Sequence, residues 1–120
     1  MTKEEKAVEL KHSGYNCCQA VLLSFAEEIG ADEEFLCHLG AGFGMGMGCM
    51  ESDCGALVGA VMVDGLVNNR RNAANARKLR SSFREKCGAV CCGDLKGIST
   101  GTVLCPCDDC IRNAIRCLEE

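Results

Sequence analysis

Twelve cysteines occur among 120 residues, and three of them stand where a helix is expected to begin. Cys17 follows Asn16, Cys54 follows Asp53, and Cys110 follows Asp108 and Asp109. A thiol in the first turn of a helix faces backbone N–H groups that lack carbonyl partners and the positive end of the macrodipole. Both favour thiolate over thiol, so lowered pKa values are expected at these three positions, moderated by the adjacent Asp residues. A fourth site, Cys91-Cys92, follows the expected C-terminal end of a helix, where the dipole acts in the opposite sense and Arg84 and Lys86 could offset it. If helices of an antiparallel bundle converge at one end, Cys17, Cys54, Cys92 and Cys110 can surround one point. Thiolates so gathered can cycle between dithiol and disulfide, or they can ligate a metal or an iron-sulfur cluster.

The spacing motifs narrow the metal options. Cys105-Pro106-Cys107-Asp108-Asp109-Cys110 reads C-x-C-x-x-C, a run that can hold zinc or part of an iron-sulfur cluster. Zinc is the weaker expectation, because a structural zinc site supplies a second C-x-x-C or a paired His, and His12 and His38 stand alone. Both histidines are expected at helix ends, solvated or capping. No strand or βαβ pattern surrounds the C-x-x-C, which sets it apart from a thioredoxin motif. Cys87 and Cys91, four apart, could meet on a helix face, although core packing accounts for them equally. Met45 and Met47 are soft atoms that serve more simply as loop filler or core contacts. Without a Ser or Cys paired to a recognisable His base, hydrolytic catalysis has no support.

Between Gly40 and Gly48 glycine falls at every second position, which suits neither an ordinary helix nor a strand. A loop is expected, either a connector with tight packing or a nest of N–H groups for an anion or cluster sulfur, with Gly44, Gly46 and Gly48 as the candidate cofactor-binding positions. It matches neither a Walker loop nor a dinucleotide loop.

The elements that must position these groups read as helices throughout. Lys3 to His12 is expected as a polar helix stopped by Ser13-Gly14, and Asn16 with Gln19 as a capping box opening a helix from Cys17 to about Ile29, with Gly30 as its stop. A short helix from about Asp32 to Leu39 is expected to bury Phe35, Leu36 and Leu39. Ser52 or Asp53 should cap a helix reaching about Val67, in which Gly55 and Gly59 form a small-residue face. A basic helix from about Asn72 to Val90 should bury Ala76, Leu79, Phe83 and Cys87. A loop rich in Gly, Ser and Thr leads to Cys105, and Asp108 or Asp109 should cap a last helix that buries Ile111, Ala114, Ile115 and Leu118. The pattern predicts one all-α domain over residues 1–120, a bundle of about five helices joined by glycine-rich loops.

Composition sets the remaining bounds. At this length a core forms without disulfide staples, and the N-terminal segment has no apolar stretch of an export signal, so reduced thiols in the cytoplasm are expected. Aromatics make up 4% of the chain and Trp is absent, leaving Ala, Val, Leu, Met and Cys to fill the core. No apolar run is long enough to span a bilayer, so no membrane insertion is expected. The net charge of -4 argues against nucleic acid as a partner. Seven cations between Arg70 and Lys86 face only Glu85 as a local counter-charge. They read as a solvated helix face, or more sharply as a field for nearby thiolates.

These blocks carry a family resemblance. Asn16-Cys17-Cys18-Gln19-Ala20-Val21, the glycine-rich run, Cys54-Gly55-Ala56-Leu57-Val58-Gly59, Cys92-Gly93-Asp94-Leu95-Lys96-Gly97 and Cys110 together resemble the redox-active proteins named for the C_GCAxxG_C_C pattern. The resemblance runs from about Asn16 to Ala114, and residues 54 to 59 supply a complete C-G-A-x-x-G. It implies Cys17, Cys54, Cys92 and Cys110 as the redox or metal-ligating cysteines and a redox partner protein or electron carrier. The other eight cysteines are surplus to the pattern, and the pairs Cys17-Cys18 and Cys91-Cys92 leave its register open by one residue.

The expected function is a cytoplasmic redox protein whose four cysteines perform thiol-disulfide exchange or bind an iron-sulfur cluster. In the thiol version Cys54 attacks and Cys110 resolves. In the cluster version all four thiolates are ligands. The alternative is a non-catalytic soft-metal binding or storage protein that exploits the surplus thiols. A homodimer could form through the Gly55–Gly59 face, which could equally pack within the chain.

Overall fold

The computed structural model describes residues 1–98 and 100–120, and among them the chain is helical with no strand. Residue 99, in the expected Gly/Ser/Thr loop, lies outside the described residues. The elements are α1 (Lys3–His12), α2 (Cys17–Ser24), α3 (Ala26–Ile29), α4 (Glu33–Gly40), α5 (Gly55–Val67), α6 (Ala74–Cys87), α7 (Cys92–Lys96) and α8 (Cys107–Glu119), with a wide π-type turn at Gly46–Met50. The all-α expectation holds, but the described residues fall into nine helical pieces rather than about five.

Two local causes account for most of the extra breaks. The Ser24 hydroxyl donates to the Val21 carbonyl at 2.7 Å, and the Phe25 N–H turns instead to Leu22 O at 3.1 Å. That substitution ends α2, and a separate turn, α3, carries the chain to Gly30 at φ 74°. The basic helix stops at Gly88, whose φ of 93° breaks the right-handed run. Residues 89–91 are then free to approach the segment before α5. Asp53 and Cys91 form an isolated antiparallel bridge, in which Cys54 N–H donates to Val90 O at 2.7 Å and Cys92 N–H to Ser52 O at 2.9 Å. Cys92 therefore opens its own helix, α7, instead of trailing the basic one.

The centre of the molecule is α2, buried at every position except Gln19 and packed against α1, α4, α5 and α8. Asn16 caps it, accepting from Gln19 N–H at 2.8 Å while Gln19 Oε1 accepts from Asn16 N–H at 2.9 Å. Gly55 and Gly59 do form a close-packing face, and α2 occupies it. A Cβ on Gly55 would lie 2.5 Å from Cys17 Sγ, and one on Gly59 would lie 3.0 Å from Cys18 O. The expected core faces of α6 and α8 are largely as read, with Leu79, Phe83, Cys87, Ile111, Ala114 and Ile115 buried. Phe35 departs from expectation at 57% exposed, because α4 turns only Leu36 and Gly40 fully inward.

Candidate functional site

The cysteine site is assembled where α2, α5, α7 and α8 begin. Cys17 is the first residue of α2, Cys54 immediately precedes α5, Cys92 opens α7 and Cys107 opens α8. These four line one cleft of about 310 Å³, together with Met45, Met50, Lys11 and Lys96. Of the expected quartet the cleft thus gathers Cys17, Cys54 and Cys92. Cys110 lies one turn deeper along α8, fully buried behind Cys54. Cys107 takes the place at the opening and is partly exposed.

Cys17 has the most distinctive surroundings. Its sulfur accepts from the Cys107 thiol, then from the Cys54 thiol, and also from the Met45 N–H, while Lys96 adds a favourable charge. Together these hold the Cys17 thiol well below its ordinary pKa in spite of burial. The lowered value expected at Cys54 and Cys110 is reversed. Cys54 has Cys110 and Cys17 as alternative acceptors and is desolvated, so its proton is held more tightly than usual. Cys110 accepts from Cys54, but it also donates to Cys87 and is desolvated, and the net direction is upward. A single thiol has one proton, so Cys54 can serve Cys17 or Cys110 but not both at once. Burial also raises Cys92, and it pushes Cys18 up to about 12 with a further contribution from its neighbour Cys17.

The cations at the cleft come from α1 and α7, not from the basic helix. Lys96 Nζ lies 3.4 Å from Cys110 Sγ. Burial works to discharge this lysine, but the sulfurs of Cys110, Cys54 and Cys107 outweigh it and keep it protonated. The basic helix instead pairs outward, Arg80 with Asp53 at 2.9 Å and Lys86 with Glu120 at 2.7 Å. Asp53 is therefore not a helix cap, and neither are Asp108 and Asp109, which pair with His12 at 2.7 Å and Arg112 at 3.0 Å.

The glycine-rich run acts on the site through its fold. A Cβ on Gly44 would lie 2.4 Å from Asn16 Cβ, and one on Gly46 would lie 2.6 Å from Cys92 Cβ, so both glycines admit close packing. Gly48 has no neighbour within 4 Å of such an atom. The N–H that reaches a sulfur belongs to Met45, between two of the candidate glycines. Met45, Met47 and Met50 all hold left-handed φ values of 54°, 62° and 64°, a strained run of ordinary residues beside the cleft.

A second cluster lies behind the first. The sulfurs of Cys87, Cys105 and Cys110 are buried and mutually within 4.8 Å, an arrangement that could bind a metal ion. Cys87 and Cys105 are surplus to the family pattern. The C-x-C-x-x-C spacing marked Cys105 and Cys107 from sequence, whereas nothing in the spacing linked Cys87 to them. Cys87 and Cys91 do not share a helix face, because α6 ends at Cys87.

The family model described as "Putative redox-active protein (C_GCAxxG_C_C)" matches residues 15–120. The chain belongs to this family. The cysteines expected from the resemblance lie in the cleft, as Cys17, Cys54 and Cys92 do, or buried behind it, as Cys110 does. Neither curated proteins nor solved structures give a match. No helix among the described residues is long and apolar enough to cross a membrane.

Proposed function

We propose that this C_GCAxxG_C_C protein is a dithiol-disulfide redox module of a reducing compartment such as the cytoplasm, with Cys17 as the attacking sulfur and Cys107 as the resolving one. The observation that carries the reading is the contact of the Cys17 sulfur with two further thiols at a cleft, beside a partly buried cation. The Cys17 thiolate attacks one sulfur of a partner protein's disulfide, forming a mixed disulfide and releasing the partner's other sulfur as thiolate. Cys107 then gives up its proton and attacks Cys17 Sγ, which breaks the mixed bond. The module ends with a Cys17–Cys107 disulfide, and the partner leaves as a dithiol carrying two electrons. Cys54, the attacker expected from sequence, fits this role less well because its proton is retained between two sulfurs. Its place is to donate to the Cys17 thiolate.

The iron-sulfur reading has one observation in its favour, the presence of four cysteines lining one cleft. Its ligands would be Cys17, Cys54, Cys92 and Cys107, with Cys107 replacing the expected Cys110. Such a cluster would supply one-electron transfer.

Two measurements on the whole chain separate these readings. Limited alkylation of the reduced protein near neutral pH, read by peptide mapping, is expected to mark Cys17 first, and mild oxidation is expected to give a Cys17–Cys107 bond. Exposed Cys49 reacting ahead of Cys17, with no Cys17 disulfide formed, rules the thiol mechanism out. A visible charge-transfer band with iron and sulfide in anaerobically purified protein replaces it with the cluster.

A further inference from the structure

The cleft chemistry makes no use of Cys87 or Cys105, and the surroundings of these two residues resemble a ligand site more than a packed core. Cys87 closes α6, Cys105 lies just before α8, and Cys110 belongs to its first turns, so three separate backbone positions aim sulfur at one point. Each residue is at most 4% exposed. Three sulfurs around an ion at a metal–sulfur distance of about 2.3 Å stand about 4 Å apart in a trigonal plane. The observed separations, within 4.8 Å, reach that with a shift of less than about 1 Å.

The polar atoms around the cluster are those a bound thiolate set needs. Asn113 Nδ2 lies 3.4 Å from Cys87 Sγ and 3.9 Å from Cys105 Sγ, so one amide serves two sulfurs. Lys96 Nζ lies 3.4 Å from Cys110 Sγ and supplies a positive charge. Cys110 Sγ also lies 3.4 Å from the Cys105 carbonyl, an acceptor that competes with Cys87 for its one proton when no ion is bound. An approach from solvent exists where Lys86, Arg112 and Arg116 border a depression that reaches Cys105 and Asn113 and shares no lining residue with the cleft.

The number and spacing of the ligands choose the ion. No fourth His, Cys, Asp or Glu joins the three within the same distance among the described residues, so a tetrahedral zinc site is incomplete. Iron-sulfur ligands must stand apart by the width of the inorganic core, whereas these sulfurs close on a single point. A soft monovalent d¹⁰ ion that accepts three sulfurs fits both constraints. We infer that Cys87, Cys105 and Cys110 form a three-coordinate Cu(I) site, separate from the Cys17 cleft. Loading releases thiol protons to solvent and moves no electron, so the site works without an oxidant or reductant.

The test is anaerobic titration of the reduced full chain with Cu(I) delivered from its bicinchoninate complex. One Cu(I) per chain is expected to leave the chelator for the wild type and for Cys17→Ser. Cys87→Ser and Cys105→Ser are each expected to lose that tight equivalent. Asn113→Ala is expected to keep the stoichiometry and weaken binding on the order of 10- to 100-fold, as loss of an outer-shell donor does. Circular dichroism on each variant shows whether it is folded, and X-ray absorption on the wild type tests the site without any substitution, with three sulfurs expected in the first shell. Wild-type protein that takes no Cu(I), a first shell of two or four sulfurs, or binding lost in Cys17→Ser but kept in Cys87→Ser overturns the assignment. Because Cys17 alkylation is read separately, failure of this site leaves the cleft mechanism standing, and the reverse also holds.

Discussion

Cys17 and Cys110 are the two acceptors within reach of the single Cys54 proton, yet their thiols shift in opposite directions. Cys17 has a second thiol donor, a backbone N–H and an opening to solvent through the cleft. Cys110 is closed in, donates onward to Cys87, and shares its surroundings with two further sulfurs. In the proposed scheme the same side chain serves nucleophilic attack on one side and ligation on the other. The decisive variables are the donors within reach and access to solvent, and in both respects position along a helix is secondary. Cys107 and Cys110 start the same helix, but only the first reaches the cleft.

The largest effect that can break this contrast is in the pH dependence of alkylation. An unperturbed thiol with pKa about 8.5 reacts about 75-fold faster at pH 8 than at pH 6, because its thiolate fraction rises by that factor. Cys17, already ionised, is expected to change by no more than about 3-fold over the same interval. Cys17→Ser should remove the flat component from the rate profile of the whole protein. A Cys17 rate that climbs steeply with pH would place it with the other buried thiols and erase the distinction between the two sides.

Next in size is Gly55→Ala. The added methyl would lie 2.5 Å from Cys17 Sγ and 2.6 Å from Phe43 O, neither of which is the flexible end of a long side chain. A cost of about 2–3 kcal/mol is expected in urea unfolding, as for other overpacked sites. Gly42→Ala, with no neighbour within 4 Å, is the control and should be near neutral. Since the strain falls on the α2–α5 seam, Cys17 reactivity should change while Cu(I) uptake by the buried triad persists. Equal damage to both would show that the two regions fold as one inseparable unit.

Adjacent residues Cys17 and Cys18 give a third test, with opposite signs. The folded pKa of Cys17 is depressed, so the unfolded chain binds its proton more readily and this contribution to stability is lost as pH falls below about 9. Cys18 is pushed up to about 12 by burial, so its contribution is complete below about pH 9 and is lost as pH rises toward 12. Thermal stability should pass through a maximum near pH 9. Cys18→Ala should flatten the alkaline limb, by on the order of 2 kcal/mol at pH 11, and leave the acid limb in place. Buried Cys54 and Cys110 act in the same sense as Cys18, so a residual alkaline slope is expected.

Much of the frame was legible from sequence because it rests on local chemistry. The capping box at Asn16 and Gln19, the stop at Gly30 and the apolar faces of α6 and α8 depend on residues only a few positions apart. The convergence of Cys17, Cys54 and Cys92 was also legible, through the family pattern. What was hidden depended on distant pairing. The bridge between Asp53 and Cys91 turns Cys92 into a helix start, and no periodicity signals a contact between segments 38 residues apart. Cys87 was assigned to the core because its partners, Cys105 and Cys110, arrive only when α8 packs on α6. The direction of the Cys54 and Cys110 shifts was misread for a related reason. A helix-start argument counts backbone donors, and here neighbouring thiols and desolvation outweigh them.

The smallest expected effect concerns the basic helix, whose cations first suggested a field for the thiolates. Arg80 is held on Asp53, next to Cys54 in sequence, by hydrogen bonds of 2.9 and 3.4 Å. Both partners are substantially exposed, so solvent screens the pair and Arg80→Ala should cost no more than about 1 kcal/mol. Its effect on Cys17 alkylation should be negligible, because the charge that reaches Cys17 comes from Lys96, partly buried in α7. Lys96→Met should raise the Cys17 pKa by a small amount, because two thiol donors and the Met45 N–H remain, while leaving the Asp53–Arg80 pair intact. If Arg80→Ala moved the pH profile as much as Lys96→Met, the field of the basic helix would have to extend across the Asp53 carboxylate into the cleft. The outward pairing of Arg80 and Lys86 argues against that, since each cation is already matched by an acid on its own side of the molecule.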